Sequence, residues 1–216
     1  MSLFIQNLFD PATQFFYLAW VFVVVVSIVL HELAHGWTAL HYGDETPRRM
    51  GRLTGNPLIH MGPFSIGALL LMGMAWGAMP IDPTRLRGKY AEVKVAAAGP
   101  AMNLLIALVC LSLLGGLIRF DHVLPDAGWM DNLHTLLWVA GQANLVLMVF
   151  NLFPVPPLDG SHVLANFYRP YALLIDDPNK QGLFILSFAA VFAISSQLWG
   201  PLGQAAAWYL HLVAGG

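Results

Sequence analysis

The sequence predicts an all-α polytopic membrane protein, and three observations carry that prediction. Of 216 residues, 57% are hydrophobic and only 10% are charged, whereas a soluble domain needs roughly a quarter of its residues charged to cover its surface. The apolar residues gather in long runs, not in the short alternating segments of a closed barrel. Several runs also reach the length of roughly 20 helical residues that crosses a hydrocarbon core of about 30 Å. About five to six membrane-embedded helical segments are expected.

The remaining composition narrows the function classes. A net charge of −2 and a pI near 6.4 give no reason to expect a nucleic-acid partner. Cys110 stands alone in an apolar run, which excludes an internal disulfide and a cysteine-rich metal site. Residues 1–10 carry no Lys or Arg and no small-residue cleavage pattern, so a cleaved signal peptide is not expected. With no internal repeat and no soluble appendage, residues 1–216 are read as a single membrane-embedded domain. Its core lies at about 15–165, and its C-terminal helices at 166–216.

Residues 15–42 form the first span, since about 28 residues at roughly 1.5 Å each exceed the hydrocarbon thickness. Residues 43–63 are polar and punctuated by Gly51, Gly55 and Gly62; a short extended or hairpin segment is expected near 48–63. The apolar stretch 64–79 is too short to be assigned as a span over a re-entrant element. A basic stretch with Arg85, Arg87, Lys89 and Lys94 follows, and then a clear span over 95–119. An acidic loop with Asp121, Asp126 and Asp131 leads to a span at about 133–153. The rest reads as a helix around 161–175 and an apolar tail from 182, broken at Gly200-Pro201.

Of ten Lys and Arg, seven fall between Arg48 and Lys94. By the positive-inside rule both basic stretches are cytoplasmic and 64–79 enters and leaves on one side; the alternative, a spanning 64–79, would move the second basic stretch outside. The chain is then a multi-pass protein of the cell membrane, with the second half of the first span and Asp159 at its cytoplasmic end.

Inside the first span lies His31-Glu32-Leu33-Ala34-His35. Residues four apart share a helix face, so both imidazoles can hold one metal ion. HExxH on a helix is the pattern in which two His bind zinc and the Glu acts as general base of a metalloprotease. Ionisable groups at the centre of a span cost roughly 2.5–3.5 kcal/mol each on insertion scales, a cost that a bound cation offsets. A third ligand is required, and the candidates are Asp159, His60, His162 and His41. Asp159 is the best placed, because it follows the Pro-rich break at the end of a span.

Three motifs in order, His31-Glu32-Leu33-Ala34-His35, then Ala98-Gly99-Pro100 with Asn103, then Asn151-Leu152-Phe153-Pro154 leading to Leu158-Asp159-Gly160, resemble the site-2 protease family of intramembrane zinc metalloproteases. The short form, with no soluble peptide-binding insert, is similar to the compact prokaryotic branch. The resemblance implies that His31, His35 and Asp159 hold one Zn2+ per chain and that Glu32 is the catalytic base. It also implies that Asn151 binds the substrate backbone or steadies the oxyanion, while Gly99 and Asn103 serve helix packing. The partners it implies are the lipid bilayer and a single-span membrane protein, cut within or near its transmembrane segment. Two departures stand out: Ser161-His162 follows Gly160 where many relatives carry a second glycine, and 75–80 lacks an expected Lys. A metal or proton transporter using the same polar residues is the alternative from another class, and a helix-binding pseudoenzyme is a further one.

Overall fold

The computed structural model describes residues 3–120 and 128–215; the acidic-loop positions Asp121 and Asp126 lie outside the described residues. Helix α1 (Gln14–His41) is the axle of the molecule. Its Val23 side packs on Val139, Ala140 and Ala143, and its Val24 and Ile28 side packs on Met61 and Leu69. Faces turned away from the core stay apolar, with Phe22 on α1 59% exposed and Ile185 in the C-terminal region 71% exposed. Outward apolar surface of that extent suits lipid, not water.

Past α1 the chain makes a single turn of helix, α2 (Thr46–Arg49), and then α3 (Pro57–Met72). Asn56 caps α3 by accepting from the Leu58 N–H at 3.0 Å, and Pro57 sits in the first turn, where its missing N–H costs nothing. The segment expected to be extended or hairpin over 48–63 is therefore non-helical only over 50–56, and no strand forms among the described residues. Asn56-Pro57, inside the segment expected to be extended or hairpin, is a helix start. At Gly62 (φ 71°) the helix kinks before Pro63, and it ends on Gly73 (φ 75°); both conformations favour glycine.

After Gly73 the chain returns alongside α3. The Ser65 hydroxyl donates to Trp76 O at 2.7 Å and accepts from Trp76 N at 2.8 Å, and Ala78 N donates to His60 O at 3.1 Å. The tip is held by Trp20 Nε1 donating to Gly73 O and Tyr17 Oη donating to Leu70 O, at 2.9 and 3.0 Å. Residues 57–82 thus fold back on themselves, with the two arms side by side, as a re-entrant element would.

Helices α4 (Ala91–Arg119) and α5 (Met130–Asn151) complete the core. They approach closely: a Cβ on Gly141 would sit 2.5 Å from Leu111 side-chain carbons, as small residues allow between membrane helices. A Pro-rich turn over 152–158 then delivers α6 (Asp159–Phe167) and α7 (Arg169–Ile175). The single helix expected around 161–175 is interrupted at Tyr168, two residues before Pro170, because proline is tolerated only in a first turn.

The tail forms α8 (Gln181–Ile194) and α9 (Trp199–Ala214), joined by a 3-10 turn at Ser195–Leu198. The break falls before Gly200-Pro201, which instead occupy the first turn of α9. Taken together, 178–214 is one of four segments among the described residues that are long and apolar enough to cross a membrane, with α1, α4 and α5. The chain is a multi-pass membrane protein.

At the far end of α1, Asp44 ties two loops together. Its side chain is fully buried and accepts from Thr46 N at 2.9 Å and from Asp82 N at 2.8 Å. Burial alone would raise its pKa, but the bonds from Thr46 and Asp82 outweigh it and hold the carboxyl below its ordinary 3.8. A depressed carboxylate contributes stability above its unfolded pKa and loses it as pH falls through the lower, folded value. Asp44→Ala, which strands two partly buried N–H donors, is expected to cost about 1–3 kcal/mol at neutral pH. In thermal unfolding of the detergent-solubilised protein, that deficit should shrink as pH drops below 3.8.

Candidate active site

His31 and His35 lie six to ten residues from the end of α1, about 9–15 Å along its axis, so the site sits below the membrane surface. Asp159 reaches it from another direction, as the first residue of α6. The turn before it is tight: a Cβ on Gly160 would overlap the Leu152 and Phe153 carbonyls, so only glycine lets that turn close under the carboxylate. His31 Nε2 lies 3.2 Å from Asp159 Oδ2, His35 Nε2 lies 3.3 Å from Oδ1, and the two Nε2 atoms are 3.0 Å apart. One ligand atom from each of the three residues falls within 4.8 Å of the others.

The back of each imidazole is anchored on α4. His31 Nδ1 meets Asn103 Oδ1 at 2.6 Å, and His35 Nδ1 meets the Val95 carbonyl at 2.7 Å. A carbonyl oxygen only accepts, so each Nδ1 carries the proton and each Nε2 presents a lone pair. Asp159 Oδ2, although buried, then has no hydrogen-bond donor. Two lone pairs and a carboxylate converge with no proton among them, which is the donor set of a divalent metal site.

Gly99 makes room for this group. A Cβ there would collide with His35 Nε2 and lie 2.5 Å from His31 Cε1 and Nε2. Gly77, on the returning arm of the re-entrant element, does the same for Glu32: a Cβ would lie 2.6 Å from Glu32 Oε1.

Two cavities meet at the cluster. One of about 330 Å³ is lined by His31, Glu32, His35, Asn151, Asp159, Glu92 and His162, and opens toward the loop end of the bundle. The other, of about 480 Å³, shares His31, Glu32 and Asn151 and also borders Asn103, but most of its wall is apolar, including Trp76, Leu147, Phe150, Phe188 and Phe192. Glu32 and Asn151 therefore stand at the junction of a polar and an apolar space. Asn151 Nδ2 donates to Leu147 O at 2.9 Å, which leaves its oxygen and its second N–H free.

The other third-ligand candidates are engaged elsewhere. His60 bonds to Thr54 O through Nε2 at 2.7 Å. His41 packs edge-on against Tyr42, and His162 Nδ1 faces Glu92 Oε1 at 3.9 Å on the cavity wall. Asn103, read from sequence as a packing residue, touches His31 directly, and Asn144 behind it escaped the sequence reading. The available signal was an amide buried in an apolar span.

A buried two-imidazole, one-carboxylate cluster beside a glutamate, set inside a multi-pass membrane protein, defines a membrane-embedded metallohydrolase. The chain belongs to peptidase family M50, the site-2 protease family, whose model matches residues 19–118 and 111–194. It is 37% identical over 155 residues to "Putative zinc metalloprotease YwhC" of Bacillus subtilis, covering 69% of each chain. It is 31% identical over 211 residues to "Putative zinc metalloprotease Rip2" of Mycobacterium tuberculosis, covering 90% of this chain and 75% of that one. "Zinc metalloprotease MJ0392" of Methanocaldococcus jannaschii is 28% identical over 142 residues, covering 66% of this chain and 32% of that one. No solved structure matches the chain.

Gly99→Ala is expected to abolish metal binding while leaving the helical content unchanged. Metal analysis and circular dichroism of the purified protein check the two halves of that statement.

Proposed function

We propose that His31, His35 and Asp159 hold the single zinc ion of an intramembrane endopeptidase and that Glu32 is its general base. The observation that carries this is the convergence of three proton-free ligand atoms below the membrane surface, with Glu32 lining the same cavity. When bound, zinc supplies a Lewis acid that polarises the scissile carbonyl and acidifies the attacking water. Glu32 takes the proton from that water and returns it to the departing amide nitrogen. Asn151 offers its free N–H to the developing oxyanion or its carbonyl to a substrate N–H. The polar cavity admits water, and the apolar cavity receives side chains of a transmembrane segment, which fits a single-span membrane protein as substrate.

The whole chain acts as one membrane-embedded domain, with its site toward the cytoplasm. The supporting observation for that orientation is the basic stretch Arg48–Lys94, whose loops are tied to the end of α1 nearer the histidines through Arg87 N donating to Tyr42 O at 2.8 Å. Neither the family nor the site favours the transporter alternative.

Glu32→Gln should retain about one zinc per chain while cleavage of a single-span test substrate falls by about 10²–10⁴-fold. Asp159→Ala should lose both zinc and cleavage. Metal analysis alongside gel-based cleavage separates base from ligand, and zinc loss in Glu32→Gln would contradict the assignment. For orientation, Thr84→Cys in a Cys110→Ser background should react with a membrane-impermeant maleimide in inverted vesicles and not in intact cells.

A further inference from the structure

Behind the cluster runs a chain of buried side chains across three helices. Asn103 Nδ2 on α4 donates to Asn144 Oδ1 on α5 at 2.8 Å. Asn144 Nδ2 in turn donates to Ala140 O and to Ser27 Oγ on α1, each at 2.8 Å. Ser27, Asn103 and Asn144 are all at most 1% exposed, so although Asn103 borders the apolar cavity, little water reaches the contacts among them.

An amide can be placed either way round, and only its partners fix which end is oxygen. Ala140 O settles it here, because a backbone carbonyl cannot donate. The NH2 of Asn144 must face Ala140, so its oxygen faces Asn103. Asn103 must then present its NH2 to Asn144 and its oxygen to His31. His31 is left with its proton on Nδ1 and its lone pair on Nε2, toward the metal position. Reversing any member sets acceptor against acceptor in a dry interior, where an unmade bond is costly.

We infer that Asn144 is a positioning residue that acts through Asn103 to fix the His31 tautomer able to bind metal. The inference rests on His31 being a zinc ligand. His35 needs no such relay, since Val95 O orients it directly.

The test is zinc affinity of the full-length purified protein in chelator-buffered zinc, for wild type, His31→Ala, Asn144→Leu, Ser27→Ala and Asn144→Leu with Asn103→Asp. Asn144→Leu should weaken zinc binding by about 10- to 100-fold. Ser27→Ala should leave it unchanged, because Ala140 O still orients the amide. Adding Asn103→Asp to Asn144→Leu should restore most of the affinity, because a carboxylate accepts from His31 Nδ1 whichever way it is turned. Ring-nitrogen NMR of the zinc-free protein adds a reading that packing would not move: one His31 tautomer in wild type, a mixture in Asn144→Leu. Wild-type affinity in Asn144→Leu, equal losses in Ser27→Ala and Asn144→Leu, or no rescue by Asn103→Asp would each overturn the relay. Wild-type affinity in His31→Ala would instead overturn the ligand assignment beneath it.

Discussion

Two imidazole nitrogens 3.0 Å apart, both facing one carboxylate, repel one another unless positive charge sits among them. In bulk water that repulsion would be largely screened, and the buried surroundings of the cluster screen it less. The cluster is therefore tolerable with a cation and costly without one. Much of the surrounding architecture holds the three groups in place against that repulsion: α1 sets the spacing of the histidines, α4 grips the back of each ring, and the tight turn before α6 supplies the acid.

The glycines show how little slack the arrangement has. Gly99, Gly77 and Gly160 each stand where a methyl group would strike a functional side chain or the turn beneath one. They come from three separate parts of the chain. Close approach of backbones is thus what brings a helix, a re-entrant arm and a Pro-rich turn to a common point.

Much of this was legible in the sequence, for identifiable reasons. The pair His31 and His35 follows from helix periodicity, and Glu32 from the motif, because both depend on local spacing alone. Asp159 is 124 residues beyond His35 in the chain, and only its place after the Pro-rich break and the order of the motifs pointed to it. Asn144 was not legible, since its role depends on which helix face meets α4 and α1. Local proline chemistry produced the errors: Pro57 and Pro201 each sit in the first turn of a helix where a non-helical segment or a break was expected, and Pro170 opens a second helix where one continuous helix was expected. Charge placement suggested that 64–79 enters and leaves on one side, and the chain does fold back on itself over 57–82, but its tip contacts with Tyr17 and Trp20 were not foreseeable.

The re-entrant element also sets the parity of the chain. Among the described residues four segments are long and apolar enough to cross, an even number, and with 57–82 folded back on itself the start of α1 lies on the same face as the end of α9. Val213 near that end touches Gly115, close to the far end of α4. Had 57–82 crossed, the termini would be split between compartments. As built, whatever precedes Gln14 or follows Ala214 emerges on the face opposite the basic loops and the mouth of the polar cavity.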